Sequence, residues 1–185
     1  HNMGIDQIKS NNHTKYLYDG NLKINKPIFD NLILYGNKIP QSSVVVKKKL
    51  IKKVKLISEK TDLITWEDFD LWIKISKITN NFYFIKRKLG TYWLGEKNFN
   101  KLKNYIKIID NFETHYNKDI FLIKKKYNIN ELDWINFTKF IYYLKNKNIK
   151  KSMNFLKKIS KKEMIKKYKD YFKNKLNKNL FINFK

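Results

Sequence analysis

From Asn98 to the end of the chain, apolar residues recur only at helical spacing. Phe99, Leu102, Ile106, Ile109 and Phe112 form one stripe, and Trp134, Phe137, Ile141 and Leu144 form another, in a helix expected to start near Asn130. Ile149, Met153 and Leu156 continue that helix, and Ile165, Tyr168, Phe172 and Leu176 make a last stripe. Spacing of three and four residues puts each set on one face of a helix and predicts burial of that face. The second half therefore reads as three to five amphipathic helices joined by Asn/Lys turns, and the stripes read as core rather than as a cofactor-binding face.

The first half has a different texture. A strand is expected near residues 15–18, with a second at 21–24 after the turn Asp19-Gly20-Asn21. Pro27 suits the first turn of a helix over Ile28 to Leu34, which Gly36-Asn37 ends. Ser42 to Val46 is β-branched and strand-like, and Lys47 to Lys53 reads as a short helix. The clearest helix begins at Thr65, with Phe69, Trp72, Ile73 and Ser76 on one face. Phe82 to Ile85 reads as a strand, and Leu89 to Trp93 as another extended piece. The expected fold class is α+β, predominantly α.

Composition narrows the chemistry. A chain of 185 residues with 42% hydrophobic and 16% aromatic residues can pack an interior. No run of 18 apolar residues exists, and no secretory signal is visible. The absence of Cys excludes disulfides and thiolate chemistry, and His1, His13 and His115 lack metal-ligand spacing. His1-Asn2-Met3-Gly4 reads as a vector remnant outside the fold. The net charge of +25 invites a nucleic-acid reading. Yet of 41 basic residues only Arg87 is arginine, alongside no Ala and very many Asn, Ile, Phe and Tyr. That is the usage of an AT-rich genome, whereas phosphate and base readout favours the arginine fork. The positive charge still attracts anionic surfaces, including the inner leaflet of a membrane.

Trp66-Glu67-Asp68-Phe69-Asp70-Leu71-Trp72 is the segment with chemical potential. Thr65 and Asp68 come close to a capping box, and two acids in a first turn complement the helix dipole. Large apolar neighbours raise a carboxylate pKa, which the helix N-terminus opposes. A carboxylate at a rigid helix start is a reasonable general base for a sugar hydroxyl. Asp70 reads as structural, pairing with Lys74 at i+4.

The order of segments around it resembles the acceptor-side half of a family 2 glycosyltransferase of the GT-A fold. The resemblance covers residues 34–100. It runs through Gly36 to Val46, then Ile57-Ser58-Glu59 (similar to the family's Phe-Asp-Glu), then the Glu67-Asp68 element, then Leu89-Gly90-Thr91-Tyr92-Trp93. It implies an inverting transfer of a sugar from a nucleotide diphosphate sugar to a glycan or lipid-linked acceptor, as in bacterial cell-surface polysaccharide synthesis. By that resemblance Asp68 is the catalytic base, and Glu67 orients the acceptor or the base. Ser42 and Ser43 line the acceptor cleft, and Trp66 and Trp93 bind substrate. Residues 5–97 would be a partial GT-A domain and 98–185 a helical extension. Two departures stand out. The family's polar pair after the Tyr is replaced by Trp93-Leu94, and the Pro-x-Tyr-Asn strand and Asp-x-Asp motif of the donor half have no counterpart. The divalent Mn or Mg of the intact enzyme is thus expected outside these residues, and the chain alone is expected to be inactive. The implied location is cytoplasmic, peripheral at the inner membrane face. A basic helical module binding nucleic acid or an anionic membrane surface is the alternative, and a helical interaction domain is a third reading.

Overall fold

The computed structural model of the chain describes residues 8–10, 13–15, 25–60, 66–85 and 105–162. The chain divides into two compact units, His1–Asn128 and Ile129–Lys185. The first holds α1 (Ile28–Tyr35), α2 (Lys48–Lys53), α3 (Glu67–Ser76), α4 (Tyr105–His115) and α5 (Asn117–Lys126). The second holds α6 (Asp133–Lys145) and α7 (Ile149–Leu156). Thus α4 and α5, read from sequence as the start of the helical extension, belong to the first unit.

The α+β expectation is overturned: the described residues are predominantly helical. Among them the one ladder joins β1 (Ile8–Ser10) to β2 (His13–Lys15), antiparallel, through three residue pairs. That is too short to form a sheet layer, so the acceptor-side half of a GT-A domain is not what these residues build. The strand expected at Ser42 to Val46 fails for a local reason. Ser43 donates its N–H and its Oγ hydroxyl to the Pro40 carbonyl, at 3.0 and 2.8 Å, closing a 3-10 turn over Gln41–Ser43. Val44 is extended (φ −121°, ψ 138°), but the valine run meets no partner strand among the described residues, and Val45 is fully exposed. A β-branched run is a strand only where it has neighbours to pack and pair with. Phe82 to Ile85 fails similarly: Asn81 and Phe82 bond back to Thr79 and Asn80 in a turn, and Tyr83 to Ile85 are exposed. Of the strand expected near 15–18 only Lys15 is described, as the end of β2; the strand at 21–24, the piece at Leu89 to Trp93, Phe99 and Leu102 of the first stripe, and the stripe from Ile165 to Leu176 lie outside the described residues.

The core of the first unit is built around α3. Phe69, Trp72, Ile73 and Ser76 are buried, as their spacing requires, together with Leu71 and Ile75. Also buried in this unit are Ile28, Leu32 and Ile33 of α1, which packs on α3, and Ile109 and Phe112 of α4, whose Phe112 ring stacks on Phe69. The Trp66, Phe69, Phe112 and Tyr116 rings follow one another with centroids 5.2 Å apart. Each buried side chain of this size contributes about 1.5–3 kcal/mol. Pro27 has no side-chain cap to offer α1. The Ile28 amide instead donates to Asn80 Oδ1 at 2.9 Å, from beyond the end of α3. On the other side, Lys126 Nζ and the Tyr127 hydroxyl both donate to Asp30 Oδ2, at 2.6 and 2.7 Å, tying α1 to the end of α5.

Helix ends show how a glycine-poor chain turns. Gly36 ends α1 at φ 77°, as its position suggested. At the end of α2 the Leu56 amide bonds Ile51 O, with Lys55 at φ 64°. At the end of α6 the Asn148 amide bonds Tyr143 O, with Lys147 at φ 58°. These are six-residue closures of the kind glycine usually completes, made here with lysine.

That last turn corrects the second unit's expected single helix. Asn146-Lys147-Asn148 breaks it, and Asn148 Oδ1 caps α7 by accepting the Lys151 amide at 3.1 Å. The buried positions of α6 are Ile135 and Asn136, with Leu132 before it. Trp134, Phe137 and Ile141 are half-buried, and Leu144 is exposed. On α7 the fully buried residue is Ser152, whose hydroxyl donates to Phe140 O at 3.2 Å. Ile149 and Met153, expected in the core, are exposed. Among the described residues no helix is long and apolar enough to cross a membrane.

Candidate functional site

The site gathers where the loop after α1 meets the start of α3. Two hydrogen bonds make that junction. Trp72 Nε1 donates to Ile39 O at 3.0 Å, and Asn37 Nδ2 donates to Asp68 Oδ2 at 3.2 Å. Asp68 and Trp72 are four residues apart and so share a helix face. The Asn37 side chain is itself held, because its Oδ1 accepts the Ile39 amide at 3.0 Å. Gly36 at φ 77° turns the chain out of α1 and sets this loop against α3.

The expected cap by Thr65 falls outside the described residues. Trp66 is the N-cap residue and gives no side-chain cap. Asp68 does the local work: its Oδ1 accepts the Phe69 amide at 2.7 Å. Burial pushes the Asp68 carboxyl above the usual carboxylate range, and the neighbouring Glu67 charge adds to the rise. The Phe69 amide and the Asn37 amide group oppose it. The half-buried side chain thus has both oxygens engaged, and a carboxylate oxygen has lone pairs for more than one donor. Beside it, Oε2 of Glu67 is buried and has no hydrogen-bond partner among the described residues.

Asp70, the next acid of the segment, has a structural role. Asp70 is buried, takes the Tyr116 hydroxyl bond on Oδ1 and has Lys74 Nζ 2.5 Å from Oδ2, the i+4 pair expected from sequence. Burial first, and then the bond to Asp70, hold the Tyr116 phenol well above the ordinary tyrosine range. Its hydroxyl is a permanent donor.

Of the residues expected to bind substrate, Ser42 is exposed in the 3-10 turn and Ser43 is committed to Pro40 O. The Trp66 ring is half-buried against Phe69 and Phe112. Trp93 lies outside the described residues. Asn37 is the participant that sequence reasoning missed. Gly36-Asn37 reads locally as a helix stop, and nothing in that dipeptide points to a partner 31 residues away. Among the described residues no group of three or more His, Asp or Glu side chains converges. Compared with protein-family models, curated proteins and solved structures, the chain finds no match.

Proposed function

We propose that the junction of Asn37, Glu67 and Asp68 is the acceptor end of an inverting sugar transfer, with Asp68 as general base. The observation that carries the reading is the Asp68 carboxylate: raised in basicity by burial, fixed by Asn37, and beside an unsatisfied oxygen of Glu67. A raised pKa makes a stronger base, and a fixed carboxylate needs no reorganisation to receive a proton. The resemblance over residues 34–100, with the Glu67-Asp68 element within it, supplies the reaction class. The reading rests on these residues and not on a GT-A framework.

In the step, the acceptor hydroxyl gives its proton to Asp68 as its oxygen bonds the anomeric carbon of the donor. The bond from that carbon to the diphosphate oxygen breaks, and the nucleoside diphosphate leaves with the electron pair. Glu67 orients the acceptor or the base, the role the resemblance implies for it. The donor nucleotide and the metal implied by the resemblance belong to other residues.

The test is Asp68→Asn in the polypeptide that carries the donor site, assayed with nucleotide diphosphate sugars. Loss of the base should lower transfer about 10²–10⁴-fold with the fold intact. Glu67→Gln should raise the acceptor KM more than it lowers kcat. Transfer at the original rate by Asp68→Asn would rule the assignment out.

A further inference from the structure

The exposed stripe on α7 points to a second surface, independent of the sugar-transfer reading. Between Trp134 and Lys162 the chain carries nine lysines and no Asp or Glu. At the turn between α6 and α7 three large aliphatic side chains reach solvent: Leu144 at 43%, Ile149 at 57% and Met153 at 44% exposure. Ile149 and Met153 share a helix face by their spacing of four. Lys150 lies next to Ile149, and Lys157 follows Met153 by four residues; both are exposed. Ser152, three residues after Ile149 and one before Met153, fixes the adjoining face of α7 to α6. The result is an aliphatic edge bordered by lysines on a short amphipathic helix.

We propose that this edge docks on the surface of an anionic lipid bilayer. Ile149 and Met153 enter the headgroup boundary, and the surrounding lysines pair with lipid phosphates. Charge and chemistry choose this partner over nucleic acid. Exposed aliphatic chains gain by leaving water for an acyl boundary and have no use on a phosphate backbone. Base stacking needs free aromatic faces. Here the Tyr143 and Phe155 rings stack on each other, 5.6 Å apart and 1° from parallel. Lys151 lies over Tyr143, and Lys139 and Lys158 lie over Phe155. Those ring faces are taken.

The experiment is co-sedimentation of the whole chain with vesicles of phosphatidylcholine alone or mixed with phosphatidylglycerol. Binding should require phosphatidylglycerol. Lys150→Gln with Lys157→Gln should weaken it roughly fivefold per lysine. Lys49→Gln with Lys52→Gln on α2, an equal loss of charge, should weaken it less. Ile149→Gln with Met153→Gln, at unchanged charge, should weaken it roughly tenfold. These six residues are exposed, so circular dichroism of every variant should match the parent. Two results would overturn the proposal. In one, the Ile149/Met153 variant sediments like the parent, which would mean diffuse attraction by the net charge. In the other, a single-stranded oligonucleotide binds more tightly than the mixed vesicles at the same salt and the Ile149/Met153 variant leaves that binding unchanged.

Discussion

The first unit and the α6–α7 hairpin are both helical, but they hold themselves together differently. Around α3, six residues of a ten-residue helix are buried apolar or aromatic side chains or the serine that ends the stripe, and its one buried acid is held by the Tyr116 hydroxyl and the Lys74 charge. In the hairpin, α6 buries Ile135 and Asn136 and α7 buries Ser152, while aromatic rings are half-covered and capped by lysines. Secondary structure can thus be equally regular over a dense interior and over a thin one. The dense region tolerates little change, and the thin one leaves apolar surface for use elsewhere.

The sharpest way to break the contrast is to hollow the dense side. Phe69→Ala should cost about 3–5 kcal/mol in urea unfolding followed by tryptophan fluorescence. A loss below about 1 kcal/mol would mean the first unit is packed no better than the hairpin. Next comes Tyr116→Phe, which leaves the buried Asp70 short of a donor and should cost about 1–3 kcal/mol. The same variant has a pH signature. The folded Tyr116 pKa lies above the unfolded value, so the unfolded state releases its proton first. Stability should fall as pH rises past about 10, and Tyr116→Phe should remove that part of the loss.

The hairpin should answer to backbone changes instead. Asn148→Ala removes the α7 cap and should cost about 1 kcal/mol, read locally by hydrogen exchange of the α7 amides. Lys147→Gly relieves a left-handed residue without a Cβ penalty and should stabilise by about 1 kcal/mol or less. The smallest effect is expected at Asp68. Its folded pKa is raised, so the native state binds the proton more tightly and parent stability rises relative to Asp68→Asn as pH falls through the carboxylate range. At neutral pH the variant should be at least as stable as the parent. A clearly less stable Asp68→Asn would make the carboxylate a structural cap.

Much of the dense side was legible in the sequence, because burial there follows period. The Phe69, Trp72, Ile73 and Ser76 face, the helix stop at Gly36 and the Asp70–Lys74 pair are all local patterns. Ile109 and Phe112 were legible for the same reason. The strand expected at Ser42 to Val46 was misread because a valine run specifies extended backbone but not a partner, and none pairs with it among the described residues. On α7, periodicity showed amphipathicity but not which face is covered. Ile149 and Met153 have the right spacing for a core, and Ser152 takes the buried place. In the candidate site, Glu67 and Asp68 were visible as a charged helix start. Asn37 was not, because its role depends on a contact made across the chain.

The Asn80 bond to the Ile28 amide has a consequence for cooperativity. The first turn of α1 is completed by a residue 52 positions later, after α3 has ended. An isolated segment ending before Asn80 would leave that amide to water and the helix frayed. α1 and α3 should therefore open and close together in native-state exchange, with the Ile28 amide protected to the same extent as the Ile73 amide in the middle of α3.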